Sequence, residues 1–458
     1  MQQSGLAVER LLSVYDLCME KDQAEDQFWM APDNVRVCGA VRLQGSKSVA
    51  QRALLNAFLA DGQSLISGIP DCEDLEVFIR ALSQLGGSFE GHPPGDVTVT
   101  GCGAKWAEGS IDLDLGANGT AMRFLTAVCV LRPGKTRING ETHRPMGPLV
   151  ESLEHLGAKI TYLGEKGYLP LELEGAPVAG GKVVLQAALS SQFTSALMLL
   201  APHTTHGLQI RMVGPISSRP YMDLTAAVLR AFGVKVKAGA REIQVASSAG
   251  LRSGKVSIEG DASAAAFPLC AAAITGGEVS VEGVGTSSLQ GDRMIAELLS
   301  EMGCTVQISE NRVSVSGHAR KPLARSLEGV PDLVPPLAIV AAFCRGESIF
   351  SGVSHLRVKE SDRLEVLCQG MQKLGIRAEV QGDLFRIVGS DGSHLKPADL
   401  DPAGDHRMAM AFALLSLKVS QTRVLQPACV RKSDPEFFTR MEKLMMPHEN
   451  TSGELSFE

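Results

Sequence analysis

The chain has 458 residues, 44% hydrophobic and 21% charged, with a net charge of -7: enough for two or three soluble globular domains. That balance speaks against a general nucleic-acid binder, and no apolar run is long enough to span a bilayer, so a cytoplasmic protein is expected. Ten cysteines are scattered without a Cys-x-x-Cys pair, which excludes a zinc ribbon or disulfide framework and suits a reducing compartment.

Residues 1–30 stand apart. Val8, Leu11, Leu12, Tyr15, Cys18 and Met19 recur at helical spacing, and Glu20, Asp22, Glu25 and Asp26 then make the segment acidic. A secretory signal starts basic and a transit peptide avoids acids, so the segment reads as an acidic leader, unpacked as far as Met30.

Beyond it, two kinds of helix alternate. One is amphipathic and closes at a glycine before a strand. It is expected over 75–86, 146–157, 221–233, 289–303 and 362–375, with a sixth over 434–445 that lacks the glycine. The closing glycines are spaced by roughly seventy residues, the mark of a structural repeat. The other kind is rich in small residues and apolar nearly all round, so it should be buried: 49–60, 120–131, 192–201, 262–273, 333–343 and 408–417. Strands are expected over 111–115, 158–162, 208–213, 234–237, 278–282, 305–308 and 376–380. The simplest architecture is α/β, six β-α-β-α-β-β units, three per domain. The starts of the buried helices would face one cleft, where their dipoles favour an anion.

The lead-ins to these helices carry more than caps need. Lys47 and Arg52 flank Gly45-Ser46-Lys47-Ser48, a hydroxyl-rich turn resembling a phosphate cradle without the Walker pattern. Arg144 sits in a rigid turn, Ser190-Ser191-Gln192 offers three hydrogen-bonding side chains, and Asp332 and Asp405 read as caps. The densest stretch is Arg357-Val358-Lys359-Glu360-Ser361-Asp362-Arg363. Here Ser361 is expected to cap the next helix, and Glu360 lies among Arg357, Lys359 and Arg363. With Arg407 and Lys432, these supply cations for anionic ligands and two acids, Asp332 and Glu360, for proton transfer. No cluster has metal-ligand spacing and no nucleophile elbow occurs, so positioning, electrostatics and acid–base steps remain.

Those stretches, with Gly119-Thr120-Ala121-Met122-Arg123, Gly260-Asp261-Ala262-Ser263 and Asp405-His406-Arg407-Met408-Ala409-Met410, together resemble the 5-enolpyruvylshikimate-3-phosphate (EPSP) synthase family over 31–446. The resemblance implies a two-domain inside-out α/β barrel: a first domain over 46–259, a second over 31–45 plus 260–447, and a tail at 448–458. It implies transfer of the enolpyruvyl group of phosphoenolpyruvate to the 5-hydroxyl of shikimate 3-phosphate through a tetrahedral intermediate, in chorismate and aromatic amino acid biosynthesis. Shikimate 3-phosphate would be held by Lys47, Ser48, Arg52, Ser190, Ser191, Gln192, Ser218, Tyr221, Asp332, His355 and Lys359. Phosphoenolpyruvate would be held by Lys47, Gly119, Arg144, Gln192, Arg363, Arg407 and Lys432. Asp332, Glu360 and Lys47 would move protons. Neither metal nor cofactor is implied, a monomer is expected, and glyphosate would compete for the phosphoenolpyruvate site. Three positions depart from the family pattern: the asparagine of the Gly116–Thr120 turn stands one place later, as Asn118; Phe124 replaces the usual proline or leucine; and His355 replaces an asparagine. Two rivals are an enolpyruvyl transferase acting on UDP-N-acetylglucosamine and a non-catalytic relative. The first would show Lys-Asn where Lys47-Ser48 stands and a loop cysteine with more context than Cys102 has; the second would have lost an acid or a cation.

Overall fold

Buried helices rich in small residues set the frame, because such helices approach their neighbours closely. They run over Lys47–Leu59, Gly119–Cys129, Ser191–Leu200, Ala262–Thr275, Val334–Ala342 and His406–Ser416 in the computed structural model, which describes residues 28–447 apart from Ala104, Thr142, His143 and Ala188. In Ala262–Thr275 every residue is buried; the Asp261 carboxylate accepts from Ala264 N at 2.9 Å and Gly276, at φ 68°, closes the helix. The amphipathic helices lie over Glu73–Gln84, Gly147–His155, Arg219–Ala231, Ile295–Glu301, Arg363–Leu374 and Phe437–Leu444, each with one face on the core.

The sheets repeat one plan. Ile111–Asp114 pairs parallel with Lys135–Asn139, which pairs antiparallel with Leu171–Glu174, itself antiparallel to Lys159–Tyr162. The buried helix Gly119–Cys129 joins the two parallel strands, as a β-α-β crossover requires. The sheets built on Gly181–Gln186 and Ala324–Ser326 follow the same order. In two sheets the first strand is exchanged. Val35–Arg42 precedes the helix Lys47–Leu59 but pairs with Glu278–Glu282, and Lys255–Ser257 precedes Ala262–Thr275 but pairs with Gln63–Ile69.

The exchange is where the chain passes between two hydrophobic cores. One gathers residues from Val49 to Ile258; the other takes Ala31 to Leu43 and Ala262 to Leu444. The two passages hold each other: Ser46 N donates to Glu259 O at 2.7 Å, Asp261 N donates to Gln44 O at 3.1 Å, and Gly45 bridges Gly260. A side chain at Gly45 would put its Cβ 2.0 Å from Gly68 O, so only glycine fits there.

Two expectations need correction. The packed chain begins before Met30: Phe28–Trp29 pairs antiparallel with Leu425 and Val424, completing the short sixth sheet with Asp399–Leu400. Trp29 Nε1 donates to Glu442 at 2.9 Å and its ring meets Phe438 at 4.9 Å. Two residues are too few to show a strand period, so the acidic run before them masked the signal. The expected leader helix at 8–19 and the tail at 448–458 lie outside the described residues. Second, Ser361 does not cap the next helix. Asp362 does, accepting from Glu365 N at 3.0 Å, while Ser361 Oγ donates to Asp405 at 3.1 Å.

Candidate active site

All six buried helices begin at one polar cavity. Lys47, Ser48 and Arg52 come from the first, Thr120 from the second, Ser190, Ser191 and Gln192 from the third, Asp261 from the fourth, Pro331 and Asp332 from the fifth, His406 and Arg407 from the sixth. The amphipathic helices add Tyr221 and Arg363, and the segments leading into them add Arg144, Ser218, Lys359 and Glu360. Helix starts carry unsatisfied N–H groups and positive dipole ends, and here they are joined by six cationic side chains against three carboxylates. The cavity is built to receive negative charge.

Arg363 is its hub. Nη1 donates to Asp332 at 2.7 Å, Nη2 to Glu360 at 3.0 Å and Nε to Asp405 at 2.8 Å, with only 2% of the side chain exposed. Asp405 is fully buried and also caps the last buried helix through Arg407 N at 2.9 Å. Burial opposes the Arg363 charge, but Asp405, Glu360 and Asp332 outweigh it and hold its pKa far above the ordinary value. Burial would likewise raise Asp332, yet Arg407, Arg363 and Lys359 hold its carboxyl well below the usual range; it also accepts from Tyr221 Oη at 3.1 Å. Glu360 is held down in the same way by Arg363 and Arg144, the latter at 3.5 Å. Both acids are therefore ionised at neutral pH.

The lysines differ. Lys47 reaches Asp74 at 2.7 Å, which overcomes burial and keeps its pKa above the ordinary value. Lys359 has cationic neighbours, Arg144 and Arg363, and burial brings it down to about 8. His406 is kept neutral by burial and by Lys47 and Arg407. Among the described residues, no three His, Cys, Asp or Glu side chains are grouped to hold a metal ion, and no helix is long and apolar enough to cross a membrane.

The family model for EPSP synthase (3-phosphoshikimate 1-carboxyvinyltransferase) matches residues 33–441. The chain belongs to the EPSP synthase family. It is a transferase of the shikimate pathway, the route to the aromatic amino acids. It is 37% identical over 417 residues to the 3-phosphoshikimate 1-carboxyvinyltransferase of Nitrosomonas europaea, covering 89% of this chain and 96% of the relative. The protein of that name from Haemophilus ducreyi is also 37% identical, over 89% of this chain and 96% of its own length. The solved EPSP synthase of Acinetobacter baumannii superposes with a TM-score of 0.76 at 27% identity, covering 91% of this chain and 97% of that one.

Measured against the family's motifs, the cavity gathers Lys47, Ser48, Arg52, Arg144, Ser190, Ser191, Gln192, Ser218, Tyr221, Asp332, Lys359, Glu360, Arg363 and Arg407. Three expected members are not in its lining. Gly119 lies behind it, where a Cβ would sit 2.8 Å from Arg144 Nη1. Lys432 donates to Ala117 O at 2.6 Å and lies 3.6 Å from Asp74, tying the last repeat unit to the Gly116–Thr120 turn. His355 is buried, its Nε2 lacks a partner among the described residues, and burial with Lys359 lowers its pKa to about 4. Arg357 also departs from expectation: it pairs with Asp362 at 2.9 Å, outside the lining, because the 3-10 turn Ser354–Val358 carries it outward. Sequence reasoning gave no role to Thr120, Asp261 or His406, although each stands inside a quoted motif at the start of a buried helix. That position was the signal available.

Proposed function

We propose that this protein transfers the enolpyruvyl group of phosphoenolpyruvate to the 5-hydroxyl of shikimate 3-phosphate, by addition and elimination through a tetrahedral intermediate. The observation that carries the reading is the meeting of six helix starts and six cations around two ionised acids, Asp332 and Glu360. Shikimate 3-phosphate is assigned to Lys47, Ser48, Arg52, Ser190, Ser191, Ser218, Tyr221 and Lys359. Phosphoenolpyruvate is assigned to Arg144, Gln192, Arg363 and Arg407, the position glyphosate would contest. Gly119, His355 and Lys432 support these groups from outside the lining.

Asp332, already ionised, accepts the 5-hydroxyl proton as that oxygen bonds to C2 of phosphoenolpyruvate, and a proton is delivered to the methylene carbon. Glu360 is suited to that delivery only after its cations are drawn off. A phosphate and a carboxylate bound to Arg144 and Arg363 compete for the charges that hold Glu360 ionised, and so raise its pKa toward a working acid. Elimination reverses the methylene protonation and releases phosphate. The finer architecture is the inside-out barrel of two domains, 46–259 and 31–45 with 260–447, closing over the substrates about the paired passages at Gly45 and Gly260.

The test is phosphate release with both substrates. Phosphate formed only when both are present is expected; none, or phosphate only with UDP-N-acetylglucosamine as acceptor, overturns the proposal.

A further inference from the structure

Arg52 is an unusual cation. It is 2% exposed, yet no carboxylate pairs with it among the described residues. Nε donates to Thr225 Oγ1 at 2.7 Å, Nη1 to Ser48 O at 2.8 Å and Nη2 to Ser195 Oγ at 3.3 Å. A guanidinium has five N–H groups, so one on each terminal nitrogen is left over, and Arg52 lines the cavity. Burial lowers its pKa to about 10, so the charge is held at some cost while it waits for an anion.

Two rings lie against the guanidinium carbon: Phe124 with its centroid at 5.1 Å and Tyr221 at 5.9 Å. They are not equivalent. Tyr221 lines the cavity and donates to Asp332, so its ring answers to whatever binds there. Phe124 is wholly buried on the helix Gly119–Cys129, has no polar atom and is absent from the cavity lining. An aromatic face attracts a cation through its quadrupole, and the attraction is stronger where water is excluded. Arg52, Phe124 and Tyr221 come from three different helices, so the stack also fixes the spacing of those helices where they start at the cavity.

We infer that Phe124 is a positioning residue for anion recognition: its ring face fixes the plane of the Arg52 guanidinium so that the two remaining N–H groups meet the shikimate 3-phosphate side of the cavity. A leucine or proline side chain at this position would offer no such face. The inference rests on the assignment of Arg52 to shikimate 3-phosphate made above.

The experiment measures shikimate 3-phosphate binding by calorimetry, with steady-state kinetics, on the full chain carrying Phe124→Leu, Arg52→Ala, or fluorinated phenylalanines at 124 that keep the ring's shape while draining its face of charge. Phe124→Leu should raise the shikimate 3-phosphate Kd by about 3- to 30-fold, with KM for phosphoenolpyruvate moving less than twofold. Fluorination should raise that Kd stepwise with the charge drained from the ring face at constant ring shape, a response packing alone would not give. If Arg52→Ala weakens binding but Leu and the trifluorinated ring both bind as the parent does, Phe124 is core filling and the inference is wrong. If Arg52→Ala leaves binding intact, the assignment of Arg52 falls, and the inference with it. Should the leucine variant fail to fold, the fluorinated series still decides, because it preserves shape.

Discussion

Replacing Asp332 with asparagine removes one charge and almost no volume. The carboxylate holds Arg363 at 2.7 Å and accepts from Tyr221 at 3.1 Å, with Arg407 at 3.7 Å. Breaking a buried ion pair costs roughly 3–5 kcal/mol when the partner is stranded. Here Arg363 keeps Glu360 and Asp405, Asp332 is a fifth exposed, and an amide oxygen still accepts one bond, so the cost falls to about 1–2 kcal/mol. For a unit of this size that is a fall of about 2–6 °C in Tm. The chemical cost is of another order: losing a positioned general base should lower kcat by about 10²–10⁴. Because Arg407 and Arg363 hold the Asp332 pKa below the ordinary carboxylate value, its contribution to stability is present at neutral pH and lost as pH falls through the acid range. The variant should therefore be less acid-sensitive than the parent while being less stable at pH 7. Phosphate release, calorimetric melting at about pH 2.5 and 7, and shikimate 3-phosphate titration separate these effects. A variant that binds, melts within a few degrees of the parent and turns over within threefold of it would refute Asp332 as the base.

Three further outcomes are expected. Lys359, brought down to about 8, should lose its proton above that pH, so shikimate 3-phosphate affinity should fall by up to about tenfold per pH unit there, with Lys359→Arg abolishing the slope. Between about 8 and 10.5 the unfolded chain holds more protons at this lysine, so stability should rise over the same range; titration and melting must move in opposite directions. A chain starting at Met30 loses the Phe28–Trp29 strand and the Trp29–Glu442 bond, and should melt about 2–6 °C below one starting at Gln27; equal melting would show that the strand contributes nothing. Gly291 faces Pro220 across the two cores, where an added Cβ would lie 2.5 Å from the proline Cβ, so Gly291→Ala should wedge the cores apart and raise KM for both substrates about tenfold, with Pro220→Gly restoring them; kinetics of the single and double variants check it.

The repeat was legible because its physical cause is strong: small-residue helices buried on all sides, glycines closing the amphipathic ones, and a seventy-residue spacing. The charged side chains of the site were legible for a related reason, since Arg407 stands at the start of an apolar helix that has no other use for a charge. What escaped depended on partners far away in sequence. Asn118 in the Gly116–Thr120 turn faces backward: it caps its own helix, accepts from Gln51 at 3.1 Å and donates to Asp74 O at 2.6 Å, and so stays out of the cavity. Nothing local to Phe124 says that Arg52, about seventy residues earlier, lies over its ring. Arg357 adjoins the cluster in sequence but not in space, because the 3-10 turn Ser354–Val358 carries it outward to Asp362.

The exchanged strand Val35–Arg42 has a consequence for how the molecule comes into being. It leaves the ribosome first among the core strands, yet its parallel partner Glu278–Glu282 follows only about 240 residues later, which at ordinary synthesis rates is on the order of 10–50 seconds. Through that interval the core of Val49 to Ile258 can assemble from contiguous chain, while Val35, Val37 and Val41 remain on a strand with both edges open. An open apolar edge is a template for the wrong neighbour, and Arg36 and Arg42, exposed on the opposite face, are the charges that keep a waiting strand in solution.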